Sequence, residues 1–168
     1  SNLTGSVSGL GGEDQIIVNT SGSVDGSIDG GRLDDNFEIR GTVAGDVRGS
    51  DGDDEIELFN GATVGGTVSG GNGSDLIAVT GSVTLSNPLM GDAGNDTFRF
   101  SNNGSINDTI MIDGGAGSDT IVGDDNGNVF TITGPDSGTL PDKVPAGYTS
   151  IENLTGGVGV DIFNINAD

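Results

Sequence analysis

Seven aspartates stand at a recurring position of the sequence, each two residues before an apolar side chain. They are Asp14, Asp35, Asp54, Asp75, Asp96, Asp119 and Asp161. The first six follow one another at intervals of 19 to 23 residues, and the seventh comes 42 residues after the sixth. Carboxylates are hard oxygen ligands, and calcium accepts six to eight such oxygens in a flexible arrangement. The spacing therefore predicts a row of calcium sites, provided that the fold stacks the repeats in register.

Composition removes several other kinds of chemistry. The 168 residues contain no cysteine and no histidine, which excludes disulfides, zinc sites, haem ligation and Ser-His-Asp catalysis. Five Lys and Arg against 26 Asp and Glu give a formal charge of -21. This charge repels nucleic-acid phosphates and anionic membrane surfaces. The expected partners are therefore cations, and neither nucleic acid nor membrane is expected. The sequence contains no apolar run long enough for direct insertion into a membrane.

The neighbours of each aspartate repeat as well. The fifth residue before it is glycine in all seven repeats, and the residues seven before and two after it are apolar. Apolar and polar residues alternate on both sides of the glycine-rich turns, which is typical of short strands. A unit of about 21 residues suits one coil of a repeat protein. The sequence thus predicts an all-β fold, a right-handed parallel β-solenoid similar to a β-helix or β-roll, with one row of calcium-binding turns.

The predicted calcium ligands lie in these turns. Aspartates stacked roughly 5 Å apart repel one another by about 3 kcal/mol per pair at an effective dielectric of about 20, and a cation between coils reverses the sign. Backbone carbonyls would complete the coordination. Besides the seven aspartates, the predicted metal-site residues are Asp51, Asp53, Asp92, Gly30, Gly49, Gly52, Gly70, Gly73, Gly91, Gly94, Gly114 and Gly117. Acids outside the register, such as Asp25 and Asp124, are expected to be solvated.

Two segments resemble the nonapeptide of hemolysin-type calcium-binding repeats, the repeats-in-toxin (RTX) family. They are Gly70-Gly71-Asn72-Gly73-Ser74-Asp75-Leu76-Ile77 and Gly114-Gly115-Ala116-Gly117-Ser118-Asp119-Thr120-Ile121. Near matches are residues 49–54, 91–96 and 156–161. The resemblance implies a structural segment, a spacer or adhesin module, of a large secreted or cell-surface bacterial protein. The other half of each coil departs from the nonapeptide, so one calcium row is expected instead of the two that typical members have.

Two other functions remain open at this point. Carbohydrate binding, as a module of a polysaccharide-active or adhesive exoprotein, is the main alternative. Ice binding is the weaker one, because the turns lack the regular threonine files of the similar segments in bacterial ice adhesins. The chain is not expected to be an enzyme, since a lyase needs basic groups near calcium and Arg40 and Arg48 lie outside the acidic turns.

The chain is predicted to form a single domain, residues 1–168, with one atypical looped coil at about residues 124–150. Three of its four prolines cluster there, and a proline cannot donate a hydrogen bond to a neighbouring strand. This segment is expected to loop out of the stack, with Lys143 and Tyr148 as the first candidates for a partner contact. The expected partners of the domain are calcium ions, neighbouring coils of a longer parent chain and, in the alternative, carbohydrate. The expected location is extracellular or at the bacterial cell surface.

Overall fold

The computed structural model describes residues 1–166, and no helix occurs within them. Each complete coil consists of three short strands separated by turns. The first three coils contain β1 (Asn2–Leu3), β2 (Val7–Ser8), β3 (Gln15–Val18), β4 (Ser23–Val24), β5 (Ile28–Arg32), β6 (Asn36–Ile39), β7 (Thr42–Val43), β8 (Val47–Asp51) and β9 (Glu55–Phe59). The next coils contain β10 (Thr63–Val64), β11 (Val68–Asn72), β12 (Leu76–Ser82), β13 (Thr84–Leu85), β14 (Leu89–Ala93), β15 (Thr97–Ser105), β16 (Ile112–Ala116) and β17 (Thr120–Val122). The remaining strands are β18 (Val129–Gly134), β19 (Ser137–Leu140), β20 (Val144–Thr149), β21 (Asn153–Thr155) and β22 (Ile162–Ile165).

Equivalent strands of successive coils pair in parallel and in register, and this builds three sheets. The five-stranded sheet has the order β1-β4-β7-β10-β13, and the seven-stranded sheet has the order β21-β17-β15-β12-β9-β6-β3. The ten-stranded sheet has the order β2-β5-β8-β11-β14-β16-β20-β19-β18-β22. Val47, for example, pairs with Ile28 on one side and with Val68 on the other. The prediction of an all-β parallel solenoid is confirmed.

The core consists of apolar columns that run along the solenoid axis. Alternation along each strand turns one or two apolar side chains inward in every coil, and parallel pairing places each on its counterpart in the next coil. The ten-stranded sheet buries Ile28, Val47, Val68, Leu89 and Ile112, and the seven-stranded sheet buries Phe37, Ile56, Ile77, Phe98 and Ile121. Burying a side chain of this kind contributes roughly 1.5–3 kcal/mol. These columns fix the register in which the aspartate turns stack.

Residues 124–150 interrupt the coil pattern, but they do not loop out of the stack. Strands β18, β19 and β20 form an antiparallel meander, and β20 pairs in parallel with β16. The meander therefore extends the ten-stranded sheet. Pro135 lies between β18 and β19, and Pro141 lies between β19 and β20, where the chain turns and no strand N–H is needed. These two prolines thus mark hairpin turns of the sheet, whereas Pro145 lies within β20.

From β17 onward the chain changes to a shorter repeat of two strands. Equivalent residues of the two strands are nine positions apart, first Ile121 and Phe130 and then Leu154 and Phe163. Leu154 pairs with Ile121 in the seven-stranded sheet, and Phe163 pairs with Phe130 at the edge of the ten-stranded sheet. The rings of Phe130 and Phe163 are stacked, with centroids 4.8 Å apart. The alignment of the last repeat with the other six is therefore wrong, because Phe163 belongs to a different column from Ile121. The two columns differ because residues 129–149 form the antiparallel meander instead of another regular coil.

Candidate metal centre

Six of the seven register aspartates stack in the corner between the ten-stranded and seven-stranded sheets, and we call this column the aspartate ladder. Oδ1 of each member after Asp14 accepts a hydrogen bond from the backbone N–H of the aspartate one coil earlier. The donor and acceptor pairs are Asp14 and Asp35 (2.8 Å), Asp35 and Asp54 (2.7 Å), Asp54 and Asp75 (2.8 Å), Asp75 and Asp96 (2.9 Å), and Asp96 and Asp119 (2.7 Å). The backbone N–H of Asp119 donates in turn to Oε2 of Glu152 at 2.6 Å.

The second carboxylate oxygen of the ladder has no such partner. Within residues 1–166, Oδ2 of Asp14, Asp35, Asp54, Asp75, Asp96 and Asp119 is buried and makes no hydrogen bond. Apart from Asp14, these residues are at most 3% exposed. A buried carboxylate oxygen that meets neither a donor nor a counter-charge costs free energy. The ladder therefore presents a column of negative charge that the protein leaves uncompensated.

Glycine is required five residues before each aspartate, because the carboxylate fills the space of a side chain there. A methyl group on Gly49 would overlap Oδ2 of Asp54 and lie 2.5 Å from the carbonyl oxygen of Gly70 in the next coil. The carboxylates of Asp35, Asp75, Asp96 and Asp119 lie in the same way against Gly30, Gly70, Gly91 and Gly114. At Gly30, Gly49 and Gly91, a carboxylate oxygen and the carbonyl oxygen of the following coil converge on one glycine.

A second set of turn glycines has a different role. Gly52, Gly73, Gly94 and Gly117 adopt positive φ between 142° and 147°, which other residues rarely do. The carbonyl oxygens of Gly52, Gly73 and Gly94 occupy the space that a Cβ atom would need on the glycine one coil further on. In the part of the chain that the structure describes, no backbone N–H donates to these three oxygens. They are thus available as neutral oxygen ligands in the turns that carry the ladder.

The three additional predicted acids lie at the outer side of the same turns and already have partners. Oδ1 of Asp53 accepts from the N–H of Ser74 at 2.7 Å, and Oδ1 of Asp51 accepts from the side-chain amide of Asn72 at 2.8 Å. Oδ2 of Asp92 accepts from the Ser69 hydroxyl. Asp53 accepts from the following coil, whereas the ladder aspartates accept from the preceding one. At Asp53 and Asp54 the outer and inner hydrogen bonds therefore run in opposite directions.

The surroundings of the ladder raise the pKa values of its carboxyl groups. The pKa of Asp75 rises to about 7, and those of Asp54 and Asp96 rise to about 6. Burial is the main cause, the hydrogen bond from the preceding backbone N–H opposes it, and the neighbouring carboxylates add to the rise. The pKa values of Asp35 and Asp119 are also raised, again mainly by burial. Neutralising this column, by a cation or by protons, is therefore favourable.

The side chains alone do not build a complete metal site. No group of three or more His, Cys, Asp and Glu side chains within residues 1–166 is arranged to hold a metal ion. A cation at the ladder would draw part of its coordination from backbone carbonyls, of which each turn offers several. A donor set of one or two carboxylate oxygens with carbonyl oxygens fits calcium, and it does not fit the transition metals that prefer nitrogen or sulfur.

Asp161 lies outside the aspartate ladder and belongs to a second, short column. Its Oδ1 accepts hydrogen bonds from the backbone N–H and the side-chain amide of Asn128, both at 2.8 Å. Gly123 and Gly156 stand five residues before these two, and a methyl group on either would collide with the respective side chain. Asn128 does not fit a repeat defined by aspartate alone, so the sequence pattern did not predict it. Gly123 before it and Phe130 after it were the available signals.

Three further residues differ from the sequence-based expectation. Asp124, which was expected to be solvated, is buried, and its Oδ2 accepts from Nζ of Lys143 at 2.7 Å and from the N–H of Asn103 at 3.1 Å. The side chains of Lys143 and Asp124 are 7% and 1% exposed. Tyr148 is also buried. Lys143 and Tyr148 therefore face the interior, and neither is available for contact with a partner.

Comparisons with known proteins yielded no relative of this chain: no family model, no curated protein and no solved structure matches it. Residues 1–166 include no helix with the length and apolarity needed to cross a membrane.

Proposed function

We propose that this chain is a calcium-binding structural segment of a secreted or cell-surface bacterial protein, a spacer or adhesin module whose fold is stabilised by calcium. The observation that carries the proposal is the aspartate ladder, in which six stacked carboxylates each keep one buried oxygen without a partner. Removing that charge from water without compensation opposes folding. A row of cations along the corner would turn this opposition into stabilisation.

The residues that would hold calcium follow from the turn. Oδ2 of each ladder aspartate supplies the charged ligand, and Asp54 and Asp75 are central examples. The carbonyl oxygens of Gly52 and Gly73, which lack a backbone donor, supply neutral ligands. Bound calcium would supply positive charge between successive coils. Since each site would join two coils, its binding free energy would add to the free energy of stacking.

An extracellular location suits such sites. Calcium sites of extracellular modules bind with dissociation constants of about 10⁻⁴–10⁻³ M, whereas cytosolic calcium is too scarce to fill them. A metal-free chain with a charge of -21 has a composition that favours an expanded state. The proposal assigns no catalytic step to the chain, and the role is mechanical: a stiff rod that orders where calcium is plentiful.

Calorimetric titration of the metal-free protein with calcium tests the proposal directly. We expect about five ions per chain, one for each interval of the ladder, and a smaller response to magnesium at equal concentration because magnesium requires a stricter octahedron. Circular dichroism at about pH 8 in chelator should show a weaker β spectrum and a lower melting temperature, and added calcium should restore both. Binding of fewer than three calcium ions would contradict the proposal.

Protons are the alternative neutralising charge, and the same measurements separate them from calcium. If protons alone satisfy the ladder, melting temperatures in chelator and in millimolar calcium should coincide at every pH. If calcium does so, the two should diverge most at about pH 8, where the raised pKa values leave the ladder ionised. Equal melting temperatures in chelator and in calcium at that pH would show that the ladder does not bind calcium and has only a structural role.

A further inference from the structure

A groove opens where the regular coil ends, beside the second half of β15. That strand runs from Thr97 to Ser105, but its neighbour β17 ends at Val122, so the last residues of β15 lack a strand on that side. The chain crosses instead to the ten-stranded sheet through residues 123–128. The resulting cavity has a volume of about 590 Å³ and lies between β15, this crossing and residues 156–158. Sites for small ligands are typically about 300–1,000 Å³.

Arg99 lines this groove, and its ion pair is longer than those of three other basic side chains. Arg40 pairs with Glu38, Arg48 pairs with Asp46, and Lys143 is buried against Asp124. The carboxylate paired with Arg99 is that of Glu55, at 4.0 Å, beyond hydrogen-bond distance. Glu55 lies on β9, so the Arg99 side chain extends across β12 towards it. Because this contact is not a hydrogen bond, the side chain can turn its planar set of N–H donors towards a ligand in the groove.

Amide and carboxylate groups also line the groove. Oδ1 of Asp125 accepts from the N–H of Val158 at 3.2 Å, which holds the carboxylate in place and leaves its other oxygen for a ligand. Asn102 lies on the groove with an exposed side chain and a φ of 51°. Asn126 donates to Asn103 and so ties the rim to β15. Val158, 87% exposed, adds an apolar surface at the edge.

We propose that this groove binds a neutral, hydroxyl-rich ligand, a short stretch of oligosaccharide. An anion is disfavoured by the field of a chain with charge -21. A small cation is disfavoured by Arg99. Guanidinium, amide and carboxylate groups offer paired donors and acceptors that match vicinal hydroxyls, and Val158 can cover the C–H face of a sugar ring. The site lies outside the aspartate ladder, so it is independent of the proposed calcium role.

Calorimetric titration in calcium-containing buffer tests this site with five neutral probes: maltohexaose, cellohexaose, laminarihexaose, mannohexaose and xylohexaose. We expect at least one to bind, and Arg99→Ala to weaken that binding at least tenfold. Arg48→Ala, which removes an arginine from a different sheet, serves as the matched control and should leave the affinity unchanged. If Arg99→Ala lowers the melting temperature, Arg99→Lys keeps the charge but loses the planar donor pair, and it should still weaken binding.

Three outcomes would overturn the proposal. The first is that none of the five hexasaccharides binds at millimolar concentration. The second is that Arg99→Ala or a folded Arg99→Lys variant binds as tightly as the unaltered chain. The third is that hexagalacturonate, the anionic probe, binds more tightly than every neutral probe. Calcium binding measured on the same Arg99→Ala protein should be unchanged, so that failure here and failure of the calcium proposal can be told apart.

Discussion

The backbone N–H of Asp54 donates to Oδ1 of Asp75 across the boundary between two coils, at 2.8 Å. Oδ2 of the same Asp75 carboxylate lies against Gly70, buried and without a donor. One side chain therefore joins two coils through one oxygen and leaves the other oxygen charged inside the corner. The stability of the stack depends on how that second oxygen is neutralised.

Replacing Asp75 by Ala should lower the melting temperature more than replacing Asp25 by Ala, with both variants measured in excess calcium. Asp75 loses an inter-coil hydrogen bond and a proposed calcium ligand, whereas the exposed Asp25 side chain accepts a long hydrogen bond of 3.3 Å from the Asn2 amide. Thermal melts followed by circular dichroism provide the measurement. Equal decreases of the melting temperature in the two variants would show that a position in the ladder does not contribute to stability.

Asp75→Asn should change stability in opposite directions with and without calcium. The amide keeps Oδ1 as an acceptor and removes the buried charge, and Asn128 already occupies the equivalent place opposite Gly123. In chelator at about pH 8 the variant should melt at a higher temperature than the unaltered chain, because the buried charge is gone. In calcium it should melt at a lower temperature. A change of the same sign in both buffers would contradict the proposed role of the carboxylate.

Gly70→Ala should destabilise the chain by about 1–3 kcal/mol, because the new methyl group would overlap the Asp75 carboxylate. Gly5→Ala is the matched control, since nothing lies within 4 Å of the position its methyl group would take. Chemical denaturation gives both free energies of unfolding. Similar values for the two variants would mean that the corner relaxes freely and that the glycine column is not needed.

The metal-free chain should lose stability as pH rises from about 4 to about 7. The unfolded carboxyl groups titrate near 3.8, whereas the folded Asp75 titrates at about 7 and Asp54 and Asp96 at about 6. Between these values the folded chain holds protons that the unfolded chain has released, so the free energy of unfolding falls with rising pH. Melts in metal-free buffer measure it. A melting temperature that rises over this range would show that the ladder is not buried as described.

Lys143→Met should destabilise the chain by about 3–5 kcal/mol, because it leaves the buried Asp124 carboxylate without its cation. Burial alone would raise the pKa of Asp124, but the ammonium of Lys143 and the hydrogen bonds from Asn126 outweigh it and hold that pKa below its usual value. The double variant Lys143→Met with Asp124→Asn should recover part of the loss. Free energies of unfolding for the two variants decide this, and a double variant no more stable than the single one would contradict it.

The regular coils could be predicted because their information is local and repeated. Glycine five residues before an aspartate, with Ile56 or Phe98 two residues after it, marks the same corner in every coil. The hydrogen bond from one aspartate N–H to the next carboxylate could not be predicted, since the sequence does not tell whether a side chain at a turn faces inward or outward. Asp53 and Asp54 are neighbours of the same type, and they face opposite ways.

The end of the solenoid was harder to predict, because its contacts join residues far apart in the chain. Glu152 follows Asp119 in the hydrogen-bond pattern although 33 residues separate them. A proline-rich segment predicts a loop from local rules, yet Pro135 and Pro141 lie in hairpin turns. The ion pair of Asp124 and Lys143 also had no local signal in the sequence. The two residues are 19 positions apart, and only the fold of the meander brings them together.

The stacking of coils also determines how this chain would respond to force. Each coil advances the axis by about 4.8 Å, the spacing between strands, but it contains about 21 residues, which extend to roughly 70 Å once released. Tension along the axis loads the hydrogen bonds between coils along their own direction, so they fail one coil at a time and not all together. A tether made of such coils would lengthen more than tenfold before its covalent backbone carried the load, and calcium held between coils would set the force at which each step begins.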